Sequence, residues 1–260
     1  MRTLIRVSFI TTFLFITILS AQAALDPGLI LYFTFDEQLD GREVEDMSGG
    51  GNNGKLRFGA KITDDAAEVH TGAGALKIFN NISAQVRVEP FKRMSTYKDN
   101  TYAFWIYIFN PMGALSSVVE KGNVLVGAEK GFAPAIFLTD PGLSLVYKFG
   151  EDGIQAGAGP VFKLKTWYHV VGVKKSADLR IYINGEENDK SRIQKVQQGE
   201  GQLRIGGTRI RSASFLMDEF QLYDRALTKK EVEAVFKGIF LSVEPRYKLT
   251  TSWGRLKTGH

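Results

Sequence analysis

An acidic pair, Asp218 and Glu219, stands in the middle of an apolar stretch near the end of the chain, FLMDEFQLYDRALTKKEV. The period-two alternation typical of a strand places Asp218 on one face with Phe220 and Leu222. Glu219 then faces the other way, toward solvent or a loop. A carboxylate on an apolar face is costly unless a cation or hydrogen-bond donors meet it. The sequence therefore predicts that Asp218 is either a metal ligand or an acceptor for backbone N–H groups.

Other side chains that could support catalysis or bind zinc are not arranged for it. The acidic clusters EVED (43–46) and EEND (186–189) lie in turn-like surroundings, where solvated loop charge is the simpler interpretation. The three histidines, His70, His169 and His260, are far apart in sequence, and none has a metal-binding partner at the usual spacing. The chain has no cysteine, which excludes disulfides and thiolate chemistry.

Aromatic residues are the candidates for contact with a sugar, because such sites combine an apolar platform with a few polar groups. The candidates are Trp105, Trp167, Tyr102, Tyr107 and Tyr168. All lie within predicted strands, and aromatic side chains commonly fill the core of a sandwich. The sequence therefore favours a core position for both tryptophans and identifies no sugar-binding residue.

Residues 1–23 have the pattern of a secretory signal peptide. Two arginines precede an apolar run of 13 residues, Val7 to Leu19, and Ala21-Gln22-Ala23 supplies the small residues of a cleavage site. The run is shorter than the ~18 residues that a spanning helix needs. We therefore expect a secreted, extracellular or periplasmic protein with no membrane span after cleavage, and a domain at residues 24–240.

Short runs rich in β-branched and aromatic residues, separated by Gly, Asn and Asp, dominate that domain and predict an all-β sandwich or barrel. The runs are LILYFTF (29–35), ALKIF (75–79), AQVRV (84–88), TYAFWIYIF (101–109), NVLVGAE (123–129), APAIFL (133–138), LSLVYKF (143–149), WYHVVGVK (167–174), LRIYI (179–183) and QLRIG (202–206). Asn184-Gly185 predicts a type I′ hairpin turn after LRIYI.

One amphipathic helix is predicted directly after the acidic pair. Thr228 and Glu231 form a capping box, and Leu227 and Val232 occupy the positions of a hydrophobic staple. The apolar stripe continues to Ile239, and we expect it to pack on the sandwich. Residues 241–260 are predicted to form an extended C-terminal tail.

Charge argues against nucleic acid as a partner. The net charge of the whole chain is +5, and no basic stripe with interleaved aromatic residues is visible. Asn81 in NIS is an acceptor for N-glycosylation if the host is eukaryotic.

The order of six motifs resembles the laminin-G-like jelly-roll domains of the concanavalin A-like lectin and glucanase superfamily. The motifs, which span most of residues 29–238, are LYFTFDE, DMSGGGNNGKL, GALKIF, TYAFWIYI, KTWYHVVGVKKSADLRIYINGE and FLMDEFQLYDRALTKKEV. The resemblance implies an all-β fold, an antiparallel β-sandwich (jelly roll), here with one short C-terminal helix.

The resemblance also implies a calcium ion where the first and last strands meet. Its ligands would be Asp36 and Asp218, and the Gly/Asn-rich loop adds Asp46 as a further candidate with Asn52 and Asn53. Calcium takes six to eight oxygen ligands, which such a loop can provide. The alternative is that Asp36 and Asp46 cap turns while Asp218 accepts backbone N–H bonds.

The favoured function is a secreted, non-catalytic binding module that recognises carbohydrate or another extracellular ligand and holds a structural calcium ion. One alternative is a structural or adhesion domain that binds a protein or a surface. A glycoside hydrolase is the weaker alternative, because the Glu-x-Asp-x-x-Glu strand of laminarinase-type relatives does not occur in this chain.

Overall fold

The structure, a computed structural model, describes residues 26–36, 38–39, 41–79, 81, 83–94, 99–112, 115–122, 135–139, 144–148, 155–158, 162–192, 201–207 and 212–239. The predicted signal peptide, the predicted tail and the predicted strand at 123–129 lie outside these residues. The elements in chain order are β1 (Leu29–Phe33), β2 (Gln38–Leu39), β3 (Glu43–Val44), β4 (Gly54–Arg57), β5 (Lys61–Thr63), β6 (Ala75–Ile78), β7 (Gln85–Val88), β8 (Asn100–Met112), β9 (Leu115–Lys121), β10 (Ala135–Thr139), β11 (Ser144–Lys148), β12 (Gln155–Ala158), β13 (Trp167–Lys175), β14 (Asp178–Ile183), β15 (Glu186–Arg192), β16 (Leu203–Gly206), β17 (Ser212–Tyr223) and α1 (Lys229–Phe236).

The strands form two antiparallel sheets. The first has the order β15-β14-β13-β8-β17-β6-β5, with β1 also paired to β17. The second has the order β12-β11-β10-β9-β16-β7-β4-β3-β2. The predicted fold class, an antiparallel β-sandwich with one short C-terminal helix, is confirmed.

The main core lies between the two sheets. Phe104, Ile106 and Ile108 of β8 are fully buried in it and meet buried residues of the second sheet such as Val86 and Ile205. Each large apolar side chain buried in this way contributes ~1.5–3 kcal/mol relative to exposure. Because side chains alternate along a strand, every second residue of β8 points into the core and the residues between them lie on the outer face of the first sheet.

The predicted turn and helix caps are also present. Asn184 and Gly185 have φ values of 51° and 83°, as a type I′ turn requires, and they join β14 to β15. Thr228 caps α1, and both hydrogen bonds of the capping box with Glu231 are formed. A second apolar cluster lies where α1 covers part of the outer face and packs Val232 and Val235 onto the first sheet.

Strand β17 reverses its alternation at the acidic pair. Phe215 and Met217 point into the core before the pair, and Phe220 and Leu222 point into it afterwards. The reversal is a β-bulge, because the register with β8 shifts just after Asp218.

The bulge places Asp218 on the outer face, where it lies opposite Trp105. The predicted position of Asp218 on one face with Phe220 is therefore wrong. Glu219, with φ 52°, is the residue that absorbs the bulge. A single inserted residue in a strand reverses every later side chain, which uninterrupted alternation does not anticipate.

The bulge coincides with a change of neighbour along one edge of β17. The first half of β17 pairs with β6 through Met217 and Leu76, and the last part pairs with β1 through Phe220 and Phe33. The loop of residues 69–74, which leads into β6, reaches Asp218 between these two neighbours. The acidic pair therefore occupies a junction of three chain segments.

Candidate ligand-binding site

A row of aromatic side chains crosses the outer face of the first sheet beyond the end of α1. We call it the aromatic row; it consists of His70, Phe79, Trp105, Tyr107, Phe109 and Trp167. Five of these side chains are partly exposed, and Phe79 is 46% exposed. Trp105, Tyr107 and Phe109 occupy the outward positions of β8, so the row follows directly from the strand's alternation.

The rings of the row are close enough to form a continuous surface. The His70 ring stacks on Trp105 with 3.7 Å between centroids. Trp167 lies 5.2 Å from His70 and 5.6 Å from Tyr107. Because each strand residue advances ~3.4 Å, the four steps from Trp105 to Phe109 extend the surface over about 14 Å.

The predicted core position of the two tryptophans is wrong. Trp105 and Trp167 belong to neither apolar cluster and are partly exposed. Tyr102, in contrast, is 1% exposed and belongs to the core. The sequence misleads here because a strand with both faces apolar gives no sign of which face meets the second sheet.

A hollow at one end of the row combines aromatic rings with a salt bridge. Lys77 pairs with Glu68, and its ammonium lies 5.7 Å from the Phe79 centroid and 5.8 Å from the Phe109 centroid. Tyr107, Asn110 and Lys165 complete the lining. The quadrupole of an aromatic ring attracts a cation over its face. This attraction helps to hold the Lys77 side chain in place.

A cavity of about 400 Å³ adjoins the other end of the row, where α1 ends. Its lining comes from the loop, β8, β13, β17 and the segment that closes the helix: His70, Thr71, Trp105, His169, Glu219, Gln221, Val235, Phe236, Lys237, Gly238 and Ile239. The volume is within the usual range for small-molecule sites. The cavity therefore combines aromatic side chains with a few polar groups.

His169 is the buried polar group of this cavity. It is 2% exposed, and its Nδ1 has no hydrogen-bond partner among the residues that the structure describes. Burial, and then the nearby His70, lower the pKa of His169 to about 3, so the ring is neutral at physiological pH. An unpaired buried polar atom is rare in a folded protein and is satisfied when a ligand or water reaches it.

Two carboxylates hold the loop of residues 69–74 that forms one wall of the cavity. Asp218 Oδ2 accepts hydrogen bonds from the backbone N–H groups of His70 (3.1 Å) and Thr71 (3.0 Å). Asp36 Oδ1 accepts bonds from the N–H groups of the loop's last two residues, of which Gly74 lies at 3.0 Å. The loop, and with it the His70 ring, is therefore positioned by both predicted metal ligands.

Burial, and to a smaller extent the neighbouring Glu219, raise the pKa of Asp218 to about 8 against the lowering effect of three backbone N–H donors. Glu219 Oε2 accepts a hydrogen bond from the hydroxyl of Tyr32. Burial is also the largest cause of the raised pKa of Glu219, and Asp36 adds to it. Three carboxylates thus interact around one wall of the cavity.

Asp46, the third predicted metal ligand, closes its own loop. Its oxygens accept hydrogen bonds from the N–H groups of Tyr32 (3.1 Å), Ser48 (3.0 Å) and Asn52 (2.9 Å). Within the described residues, no group of three or more His, Cys, Asp or Glu side chains is placed to hold a metal ion. The backbone-acceptor alternative accounts for these bonds, and calcium binding stays a prediction.

The two acidic clusters lie away from the cavity. Glu43 is in β3 and pairs with Lys55 across the strand pair, and EEND forms the start of β15. Sequence reasoning missed His70, Phe79, Phe109 and Glu219 as parts of the site. The alternation of TYAFWIYIF contains a signal for Phe109, since Trp105, Tyr107 and Phe109 share a face, whereas the loop position of His70 has no periodic signal.

The model of the concanavalin A-like lectin/glucanases superfamily matches residues 80–233, more than half of the chain. The chain belongs to this superfamily. A curated relative, the Paraclostridial mosquitocidal protein 1 of Paraclostridium bifermentans, is 22% identical over 234 residues, which are 80% of this chain and 18% of that protein. This chain therefore spans less than a fifth of the curated relative.

Solved structures of three other proteins share the fold. The binding domain of the mosquitocidal protein superposes with a TM-score of 0.60 at 20% identity over 81% of this chain and 52% of that one. A structure of botulinum neurotoxin type C, whose cell entry depends on interaction with two ganglioside molecules, gives 0.58 at 16% identity over 82% and 52%. The Trypanosoma rangeli sialidase, in complex with the inhibitor DANA, gives 0.62 at 15% identity over 82% and 33%.

In the part of the chain that the structure describes, no helix is long and apolar enough to cross a bilayer.

Proposed function

We propose that this chain is an exported, non-catalytic module that binds carbohydrate on the aromatic row and in the adjoining cavity. The observation that carries the proposal is the row itself, a contiguous set of aromatic side chains left partly exposed on the outer face of a sheet. A surface of this kind loses contact with water when a ligand covers it, and contiguous exposed apolar patches commonly mark binding sites.

The aromatic row and the cavity offer complementary contacts to a sugar. Aromatic faces pack against the apolar face of a sugar ring, while Glu219, Gln221 and His169 offer hydrogen bonds that orient its hydroxyl groups. The superfamily, the mosquitocidal protein described as having a binding domain, and the neurotoxin described as interacting with gangliosides all support a ligand-binding module. The mosquitocidal binding domain supports a non-catalytic role, whereas the sialidase supports the enzyme alternative.

A tryptophan replacement tests the role of the aromatic row. We expect Trp167→Ala to weaken glycan binding by about tenfold or more, because ring stacking contributes ~0.5–1.5 kcal/mol and the apolar area that is no longer buried adds to the loss. Binding is measured on a glycan array and then by calorimetry with the strongest ligand. Phe58→Ala is the matched control, since Phe58 is 49% exposed and lies outside the row.

Equal loss of binding in Trp167→Ala and Phe58→Ala would contradict the assignment of the row. If no glycan binds while pull-downs retain a protein partner through the same row, the adhesion alternative replaces the carbohydrate proposal.

We also propose a structural calcium ion at Asp36 and Asp218, with Asp46 as a further candidate. The carboxyl groups of Asp36, Asp218 and Glu219 interact at the junction of β1, β17 and the loop, and a cation bound there would stabilise their ionised forms. The backbone N–H groups bonded to the same oxygens support the opposite interpretation, a site complete without metal.

Thermal unfolding separates these interpretations. At a hundred times its Kd, calcium stabilises the folded state by about 2.7 kcal/mol. For a domain of this size we expect melting to rise by roughly 5–10 °C in millimolar calcium relative to EDTA. Asp36→Asn should abolish the rise, and Asp178→Asn, on the far strand β14, should keep it. An unchanged wild-type melting temperature would remove calcium from the proposal.

A further inference from the structure

We infer that the hollow at the Phe79 end of the aromatic row binds the acid group, a carboxylate or a sulfate, of a saccharide whose neighbouring sugars stack on the row. The inference rests on the proposed function and names the ligand class of the same site. It depends on the cations around the hollow and on how the fold holds them.

Cations outnumber carboxylates around the hollow. Lys77 and Lys165 line it together with one acid, Glu68. Lys61 of β5 lies directly opposite Lys77 of β6, so their side chains share the outer face of the first sheet. Like charges directly opposite each other on neighbouring strands destabilise a sheet, and a bound anion would reduce this repulsion.

Glu68 is already engaged within the protein. Its Oε1 pairs with the Lys77 ammonium, and its Oε2 accepts a hydrogen bond from the Thr63 hydroxyl at 2.8 Å. Lys77 is in turn held over the rings of Phe79 and Phe109. The one carboxylate in the lining that the structure describes therefore offsets the charge of Lys77 alone.

Lys61 and Lys165 are available to an anion. Both residues are exposed, and neither forms an ion pair with another residue that the structure describes. An ammonium group is a hydrogen-bond donor only, and its bonds to an ionised acceptor are stronger than bonds between neutral groups. A carboxylate or a sulfate therefore gains more here than a hydroxyl group does.

The backbone holds Lys165 at the edge of the hollow. Its N–H donates a hydrogen bond to the carbonyl of Ile108 at 2.8 Å, which ties the turn before β13 to β8 next to Phe109. Lys165 has φ 56°, a left-handed conformation that is strained for a residue with a side chain. Such strain persists only where the surroundings hold the backbone, and it is concentrated at functional sites.

One ligand can use the row and the hollow together. Phe79, Tyr107 and Phe109 belong to the row and also line the hollow, which has a volume of about 450 Å³. Asn110 adds an exposed amide that can bond the hydroxyl groups of the same sugar. A sugar ring stacked on Tyr107 or Phe109 can therefore present its acid group to Lys165.

A matched set of glycans tests the inference on the full chain. Lactose, sialyllactose and sulfolactose share one core, and the last two carry a carboxylate and a sulfate, respectively. We expect calorimetry in low salt to show about tenfold tighter binding of the acid-bearing members, because charge-assisted hydrogen bonds form only with them. The advantage should shrink in about 1 M salt, where the Debye length falls to ~3 Å.

Lys61→Gln combined with Lys165→Gln should remove this advantage, because glutamine keeps a polar side chain and loses the charge. Lys55→Gln combined with Lys229→Gln is the matched control, since these lysines lie on β4 and at the start of α1 and the change in net charge is the same. The readout is the ratio of the affinities for acid-bearing and uncapped ligands. Melting temperatures of both double variants show that they are folded.

Equal or weaker binding of both acid-bearing members overturns the inference while the proposed function stands. Tighter binding of one of them supports it and identifies the acid group that the hollow accepts. An unchanged advantage in the folded variant that lacks Lys61 and Lys165 also overturns it, and loss of the advantage in Lys237→Gln would then place the acid group in the cavity at the other end of the row. Absence of binding to every glycan contradicts the proposed function itself, and the inference with it.

Discussion

Replacing Asp218 with alanine is expected to lower the free energy of unfolding by about 3 kcal/mol near pH 5. The carboxyl group accepts hydrogen bonds from the backbone N–H groups of His70, Thr71 and Glu219, and alanine leaves these donors without that acceptor. Each buried donor left unsatisfied costs ~1–3 kcal/mol. Urea unfolding in EDTA, so that no calcium occupies Asp218, measures the change by fluorescence.

The pH dependence of the same experiment has a definite sign. The pKa of Asp218 is raised by burial to about 8 in the folded state, whereas an unfolded Asp titrates near 4. Between these two values the folded state binds a proton that the unfolded state does not. Wild-type stability therefore falls as pH rises through this window, by at most ~1.4 kcal/mol per pH unit.

Asp218→Asn is the matched control, since it cannot ionise and retains one acceptor oxygen. Its stability should depend less on pH than that of the wild type between pH ~4 and ~8. A wild-type stability that rises with pH across this window would contradict the position of Asp218 described above.

Gly72→Ala is expected to cost about 2–4 kcal/mol of folding stability and to weaken ligand binding. Gly72 has φ +75°, and a Cβ there would lie 2.4 Å from both carboxylate oxygens of Asp36. The left-handed backbone costs an L-residue ~1–3 kcal/mol, and the clash adds to it. Displacement of Asp36 releases the loop and moves the His70 ring off Trp105.

Gly49→Ala separates the two costs. Gly49 has φ +82°, and a Cβ there meets no atom within 4 Å, so this variant carries the backbone cost alone. The melting temperature should be highest for the wild type, lower for Gly49→Ala and lowest for Gly72→Ala. Equal melting temperatures for the two variants would show that contact with Asp36 adds nothing to the backbone cost. Glycan binding should decrease in Gly72→Ala and stay unchanged in Gly49→Ala.

Local patterns account for the elements that the sequence predicts correctly. The Asn184-Gly185 turn and the Thr228 cap depend on a few adjacent residues whose backbone angles and hydrogen bonds are set locally. The strand runs depend on β-branched and aromatic residues between turn signals, which most described strands match within a few residues.

The composition of the site was visible in the sequence, but its assembly was not. Asp218, Trp105 and Trp167 attract attention by type, yet the sequence places Asp218 on the wrong face of β17 and favours the core for both tryptophans. His70 carries no periodic signal, and it reaches Trp105 because distant carboxylates bind the loop that holds it.

The sequence by itself thus determined a β-sandwich of the concanavalin A-like superfamily with a capped helix after its last long strand. Only the tertiary structure decided what the acidic pair does, because a one-residue bulge reverses the alternation of β17 at Asp218. It also decided which aromatic residues remain exposed, since that depends on where the second sheet and α1 cover β8. These are properties of contacts between segments far apart in the chain, and local residue patterns do not encode them.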